Sequence, residues 1–158
     1  MGTSGLPPTE PQGEDMALVA KNVDTGSLLA DRVGVAATRA ARAVGLLSRT
    51  GLEPGEALWI VPSRGVHTCG MRFAIDVLAL DDRGIVIDCV SALKPWRIRL
   101  PRRGTVGVLE LPAGSLLRSG TAVGHRIEFE TRAASVWEYP IPAQSARTIA
   151  NDLEELRS

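Results

Sequence analysis

Two nearly continuous apolar runs, Ile75–Leu80 and Ile85–Val90, are separated only by Asp81-Asp82-Arg83-Gly84. The runs are too short for helices, and a brief polar linker ending in glycine is a strong hairpin signal. A strand that is apolar at almost every position, rather than at alternate ones, has to be covered on both faces. The hairpin therefore belongs at the centre of a layered domain, and the rest of the chain has to supply the covers.

The flanking segments read mostly as short strands. Ala17–Val23 and Leu28–Val33 flank the turn Asp24-Thr25-Gly26-Ser27 and are expected to pair as a hairpin. Ala57–Val61 and Gly107–Leu111 are further strands, and Pro112-Ala113-Gly114 is a turn leading into a short helical turn at 115–119. In His125–Arg132, Ile127 and Phe129 alternate with Arg126, Glu128 and Glu130, the pattern of a half-buried strand. Ala40, Ala43, Val44 and Leu47 recur at helical spacing over 36–49, with Gly51 as the stop, which predicts one interior helix. Ala146, Ile149, Ala150, Leu153 and Leu156 predict a C-terminal helix. Many short strands with Gly/Pro turns make the fold mainly β, of α+β character: a small β-barrel or jelly-roll-like sandwich. The expected organisation is a disordered tail over 1–15, one β-rich domain over 16–139 and a helical tail over 140–158. The tail helix would cover its own core or pair with a second copy in a homodimer.

Among the 158 residues, 18 Lys and Arg balance 18 Asp and Glu, so the total charge provides no attraction for nucleic acid or an anionic membrane. Aromatics are only 4% of the chain, which also disfavours stacking on nucleic acid. Cys69 and Cys89 are the cysteines, with no Cys-x-x-Cys pair, and they read as free thiols. The N-terminal stretch lacks the apolar segment of a signal peptide, and no run approaches a membrane span. The expectation is a cytoplasmic protein with no membrane partner, no metal and no cofactor.

Several motifs occur in a fixed order: Trp59-Ile60-x-Pro62-x-Arg64; Val66-His67-Thr68-x-Gly70-Met71-Arg72-Phe73-x-Ile75-Asp76-Val77; Leu93-Lys94-Pro95-Trp96-Arg97; and Val108-Leu109-Glu110-Leu111-Pro112-Ala113-Gly114. This ordered set, preceded by Gly45-Leu46-Leu47, resembles the domain of unknown function 192 family, the uncharacterised ACR family, over roughly Val19 to Phe129. The resemblance implies a compact, mainly β domain of barrel or jelly-roll type and brings no established activity. Members often carry an aromatic where Cys69 stands and Gly-Asp where this chain has Gly124-His125.

The candidate site centres on Trp59–Asp76. In an extended segment, His67, Cys69, Met71 and Phe73 fall on one face, and Thr68, Arg72 and Asp76 on the other. Between Asp88 and Glu110 there is no acid, while Lys94, Arg97, Arg99, Arg102 and Arg103 surround Trp96. Such a segment reads either as an anion-binding surface or as a solvated loop with Trp96 packed as an anchor. Asp76 and Glu110 could act as paired carboxylates, but nearby arginines make structural ion pairs the preferred reading. A metal set of His67, Asp76 and His125 lacks any ligand-spacing signature.

Three functional classes follow. The first is a small binding domain for an anionic or polar ligand held by Arg64, His67, Thr68, Arg72, Asp76, Lys94, Trp96, Arg97 and Glu110; it requires Arg64, His67, Arg72, Lys94, Trp96 and Arg97 to converge in one concave pocket. The second is a hydrolase-type enzyme using His67 with Asp76 or Cys69, which needs hydrogen-bond reach between them. The third is a protein-interaction domain, recognisable by an exposed apolar patch.

Overall fold

A computed structural model of the protein describes residues 16–38, 46–63, 65–100 and 102–133, within a unit spanning Met16–Ala133. In chain order the elements are β1 (Met16–Asn22), β2 (Leu28–Ala30), β3 (Arg32–Ala36), β4 (Glu56–Ile60), β5 (Val66–His67), β6 (Ile75–Leu80), β7 (Val86–Leu93), β8 (Ile98–Arg99), β9 (Gly107–Pro112), the short helix α1 (Ser115–Ser119) and β10 (Ile127–Ala133).

The apolar hairpin forms as β6 and β7 and lies in a five-stranded sheet of order β3-β4-β9-β6-β7. Its turn is closed by Asp81, whose carboxylate accepts the amides of Arg83 and Ile85, while Gly84 takes φ 77°. Only glycine adopts that conformation cheaply. Every residue of β6 is buried, and β9 is buried from Gly107 to Leu111. Leu78, Leu80, Leu109 and Leu111 face one apolar cluster, and Ile75, Val77 and Val108 face another. Each fully buried leucine contributes about 2 kcal/mol through area removed from water. β7 is the sheet edge and is only partly buried beyond Asp88.

The first cluster is covered by α1, through Leu116, and by the three-stranded sheet β10-β1-β2. The second is covered by Leu46, Val66 and Met71. The first predicted hairpin is shorter than expected, because β2 ends at Ala30. The amides of Asp31 and Arg32 both donate to the carbonyl of Gly55, at 3.0 Å each. That pair of bonds diverts the chain to β4, where β3 pairs in parallel.

The fold is mainly β, but the described sheets do not close. The larger sheet ends at β3 and β7, the smaller at β10 and β2. They meet through the isolated Ile85–Arg126 bridge instead of completing a cylinder. Half of the interior helix expected over 36–49 lies outside the described residues; Ala36, its expected start, is the last residue of β3, and 46–48 form a turn. The C-terminal helix, and with it the homodimer expectation, also lies outside them. The helical turn at 115–119 is present as α1.

Trp59 lies across β9 and stacks obliquely on Phe129, ring centroids 5.0 Å apart. It can do so because position 107 is glycine: an added Cβ would sit inside the Trp59 ring and 3.0 Å from the Ile60 carbonyl. Gly107→Ala is therefore expected to destabilise the domain by about 2 kcal/mol through overpacking. Urea unfolding checks this, and an unchanged midpoint would show that Trp59 yields freely.

Candidate functional site

Thr68 organises the central stretch. It is fully buried, and its hydroxyl donates to the Lys94 carbonyl (2.7 Å) and accepts the Arg97 amide (2.9 Å). Its own amide donates to the Arg97 carbonyl, and its carbonyl accepts the Trp96 amide. One threonine thus ties residues 94–97 to the end of β5. These bonds hold Trp96 at φ 60°, a left-handed conformation that a bulky side chain adopts only when its surroundings over-determine it.

The pairing of β5 with β8 makes a two-stranded ribbon, with Val66 opposite Arg99 and His67 opposite Ile98. Its inner side is anchored. Val66 is buried in the second cluster, and the Arg99 guanidinium grips both oxygens of Asp88 at 2.8–3.0 Å. Its outer side is open, with His67 and Ile98 both exposed. Trp96, which one sequence reading placed as a packed anchor, is 67% exposed. Lys94, Arg97, Arg72 and Arg103 are exposed and form no ion pair with any described residue.

The ribbon thus brings together His67, Thr68, Lys94, Trp96 and Arg97. Arg72 follows Met71, whose amide donates to the Thr68 carbonyl. Arg64 lies outside the described residues. The expected concave pocket is not what these residues form: His67, Arg72, Lys94, Trp96 and Arg97 are all exposed, and a cleft of ≈ 640 Å³ is lined instead by Leu52, Phe73, Pro112 and Arg118 among others.

Asp76 has a different place. The ladder between β6 and β7 shifts register between Ile75–Leu93 and Val77–Val90, leaving one extra residue on β7. This is a β-bulge, and Ala92 within it adopts φ 49°. Asp76 is fully buried, accepting the Ala92 amide on one oxygen and the Leu116 amide, in the first turn of α1, on the other, both at 2.8 Å. The preferred arginine partner for Asp76 is therefore not what the fold uses. Two backbone amides that would otherwise be orphaned satisfy the carboxylate, and the carboxylate satisfies them.

Glu110 also lacks the expected cation. It lies between Leu58 of β4 and Val77 of β6, on the second cluster's face. It is 3% exposed and forms no hydrogen bond or ion pair with any described residue. Burial pushes its carboxyl up to about 7. Glu56 shows the alternative treatment of a buried acid. Burial pushes it up as well, but the Glu53 amide and the Arg49 guanidinium (2.6 Å) outweigh that and hold it below the ordinary range.

The remaining candidates are separated. Cys69 and Cys89 are free thiols, and no described hydrogen bond joins His67 to Cys69, Thr68 or Asp76. His125 Nδ1 meets the Asn22 amide group at 3.1 Å, while Asn22 also donates to Thr121. It staples the turn before β10. Sequence reasoning missed Asn22, the Asp88–Arg99 clamp, and the outward placement of Ile98 and Leu100. The last was visible as apolar–basic alternation in Trp96-Arg97-Ile98-Arg99-Leu100.

The profile of the domain of unknown function 192 family, described as Uncharacterized ACR, matches residues 20–129. The chain belongs to this family. Family relatives agree with it: a UPF0127 protein of Pyrococcus abyssi is 35% identical over 96 residues, covering 57% of this chain and 79% of the relative. Two crystal structures share the fold. A Novosphingobium aromaticivorans protein of unknown function superimposes with TM-score 0.61 at 23% identity, covering 79% of this chain and 94% of its own. A Sinorhizobium meliloti protein described as a candidate transcription regulator gives TM-score 0.63 at 20% identity, covering 76% and 98%. At these identities the likeness shows the fold alone.

Two family-motif acids thus have opposite expected behaviour. Asp76→Ala strands the buried Leu116 amide and removes the partner of the Ala92 amide in the bulge, and is expected to cost about 2 kcal/mol in urea unfolding; a neutral result would mean water replaces the carboxylate. Glu110 holds its proton in the folded state up to about pH 7, whereas the unfolded chain releases it near 4.5. The unfolded state thus binds fewer protons in that window, and stability falls as pH rises across it, by ~3 kcal/mol at most. Glu110→Gln should flatten this slope and be the more stable form above pH 7. Parallel pH profiles of the two proteins would refute the assignment.

Proposed function

We propose that this family member is a binding domain for anionic partners, and that the β5–β8 ribbon is its contact face. One observation carries the reading: an anchored ribbon presents Lys94, Arg97 and Trp96 to solvent, with no acid among the described residues paired to the cations. An unpaired guanidinium or ammonium beside an exposed indole suits phosphate or carboxylate groups, the guanidinium by bidentate bonds and the indole by its apolar face. The face is an open surface, so the partner is a group presented from outside rather than a ligand engulfed in a cavity. The hydrolase reading has less support, since His67 stands on the ribbon while both oxygens of Asp76 are engaged by amides.

The test is a thermal-shift series with phosphate, polyphosphate and carboxylates, comparing wild type with Lys94→Ala/Arg97→Ala. A ligand at ~100 times its Kd stabilises the folded state by about 2.7 kcal/mol. The expected result is a shift in wild type that disappears in the double variant while its unliganded melting temperature is retained. Equal shifts in both proteins would place the anion elsewhere.

A further inference from the structure

The ribbon carries a second property that anion binding alone does not use. Trp96, Ile98 and Leu100 are 67%, 71% and 80% exposed. Other exposed apolar side chains, such as Val35, Leu117 and Val123, occur singly, as they do on most soluble proteins. Here three large ones occupy alternate positions in a five-residue segment. Side chains exposed to this degree stand out from the surface as a ridge, with Leu100 at the rim of a small cleft that Val66, Arg99 and Val108 also line. A ridge fits a yielding or concave partner and gives a small molecule no enclosure.

Along the chain, the charge beside the ridge is of one sign. Lys94, Arg97, Arg102 and Arg103 are exposed, and the nearest acids along the chain, Asp88 and Glu110, are both buried. Asp88 is taken up by Arg99, with Arg102 at 3.7 Å from it. The ridge cannot fold back into the domain: its inner neighbours Val66 and Arg99 are fixed beneath it, and the Thr68 bonds hold Trp96 at positive φ. A tryptophan with aliphatic neighbours, rimmed by Lys and Arg and free of acids, matches the chemistry of an anionic bilayer interface. There the indole sits at headgroup level, aliphatic side chains reach the acyl boundary, and the cations meet phosphates.

We infer that the β5–β8 ribbon docks this domain peripherally on an anionic lipid surface, with Trp96, Ile98 and Leu100 inserted at the headgroup level and Lys94, Arg97, Arg102 and Arg103 on the phosphates. The inference rests on the anion-binding reading and names the source of the anion. It departs from the sequence expectation of no membrane partner, which was drawn from the balanced total charge. No helix of the described residues is long and apolar enough to cross a membrane, and peripheral docking needs none. Each basic side chain at such a surface adds about a fivefold gain in partitioning, and the gain falls with salt.

The experiment uses the full chain and co-sedimentation with vesicles of phosphatidylglycerol mixed with phosphatidylcholine, against phosphatidylcholine alone. Trp96 fluorescence is read in a Trp59→Phe/Trp137→Phe background. The expected result is salt-sensitive binding to the anionic vesicles only, with a blue shift of Trp96. Ile98→Ser/Leu100→Ser should lose vesicle binding yet keep the thermal shift with phosphate, whereas Lys94→Ala/Arg97→Ala should lose both. Phosphate binding without vesicle binding by wild type overturns the lipid inference and leaves the anion reading standing. Absence of both overturns both. Vesicle binding without movement of Trp96 emission overturns the docking face. Because the ridge residues are exposed, the serine variants should melt with wild type, which a circular dichroism melt checks.

Discussion

The fold depends on the double burial of β6 and β9. Two adjacent strands with apolar side chains on both faces cannot be left against water on either side, so the domain needs two covers. α1 and the three-stranded sheet supply one, closing over Leu78, Leu109 and Leu111. Leu46, Val66 and Met71 supply the other, over Ile75, Val77 and Val108. The second cover has a consequence for function. Val66 belongs to the ribbon, so packing the core on that side also fixes which side of the ribbon faces out.

Polar groups within this double layer are handled in three ways. Asp76 is satisfied by backbone amides and joins the bulged edge of β7 to α1. Asp88 is satisfied by a bidentate arginine and holds the ribbon down. Glu110 has neither kind of partner among the described residues, and burial favours its neutral form. Desolvation penalises a charge wherever it sits, and the difference among the three acids is what the surrounding chain offers in return. Every fully buried side-chain oxygen or nitrogen of the described residues has a hydrogen-bond partner. Glu110, 3% exposed, keeps slight contact with solvent.

Much of the fold was legible in the chain because its signals are local. The Asp81–Gly84 turn, the alternation of 127–130 and the short helical turn at 115–119 each depend on a few neighbouring residues. The divergence of β3 from β2 was not legible, because it depends on two amides meeting the carbonyl of Gly55, a residue distant in sequence. The same limit applied to the site. His67, Lys94, Trp96 and Arg97 were picked out by type and spacing, but Thr68 was the residue that brought them together, through bonds across a gap that no periodicity records.

The sequence by itself determined the mainly β class, the central hairpin, the family and the acid-free segment around Trp96. These follow from composition and short-range pattern, which the chain carries wherever it folds. Tertiary structure alone decided that Asp76 would be satisfied by backbone amides and Glu110 by no described arginine, that the described sheets would stay open, and that Trp96, Ile98 and Leu100 would face solvent. Each of those outcomes depends on which backbone amide, carbonyl or guanidinium arrives from elsewhere in the chain, and that is a property of packing.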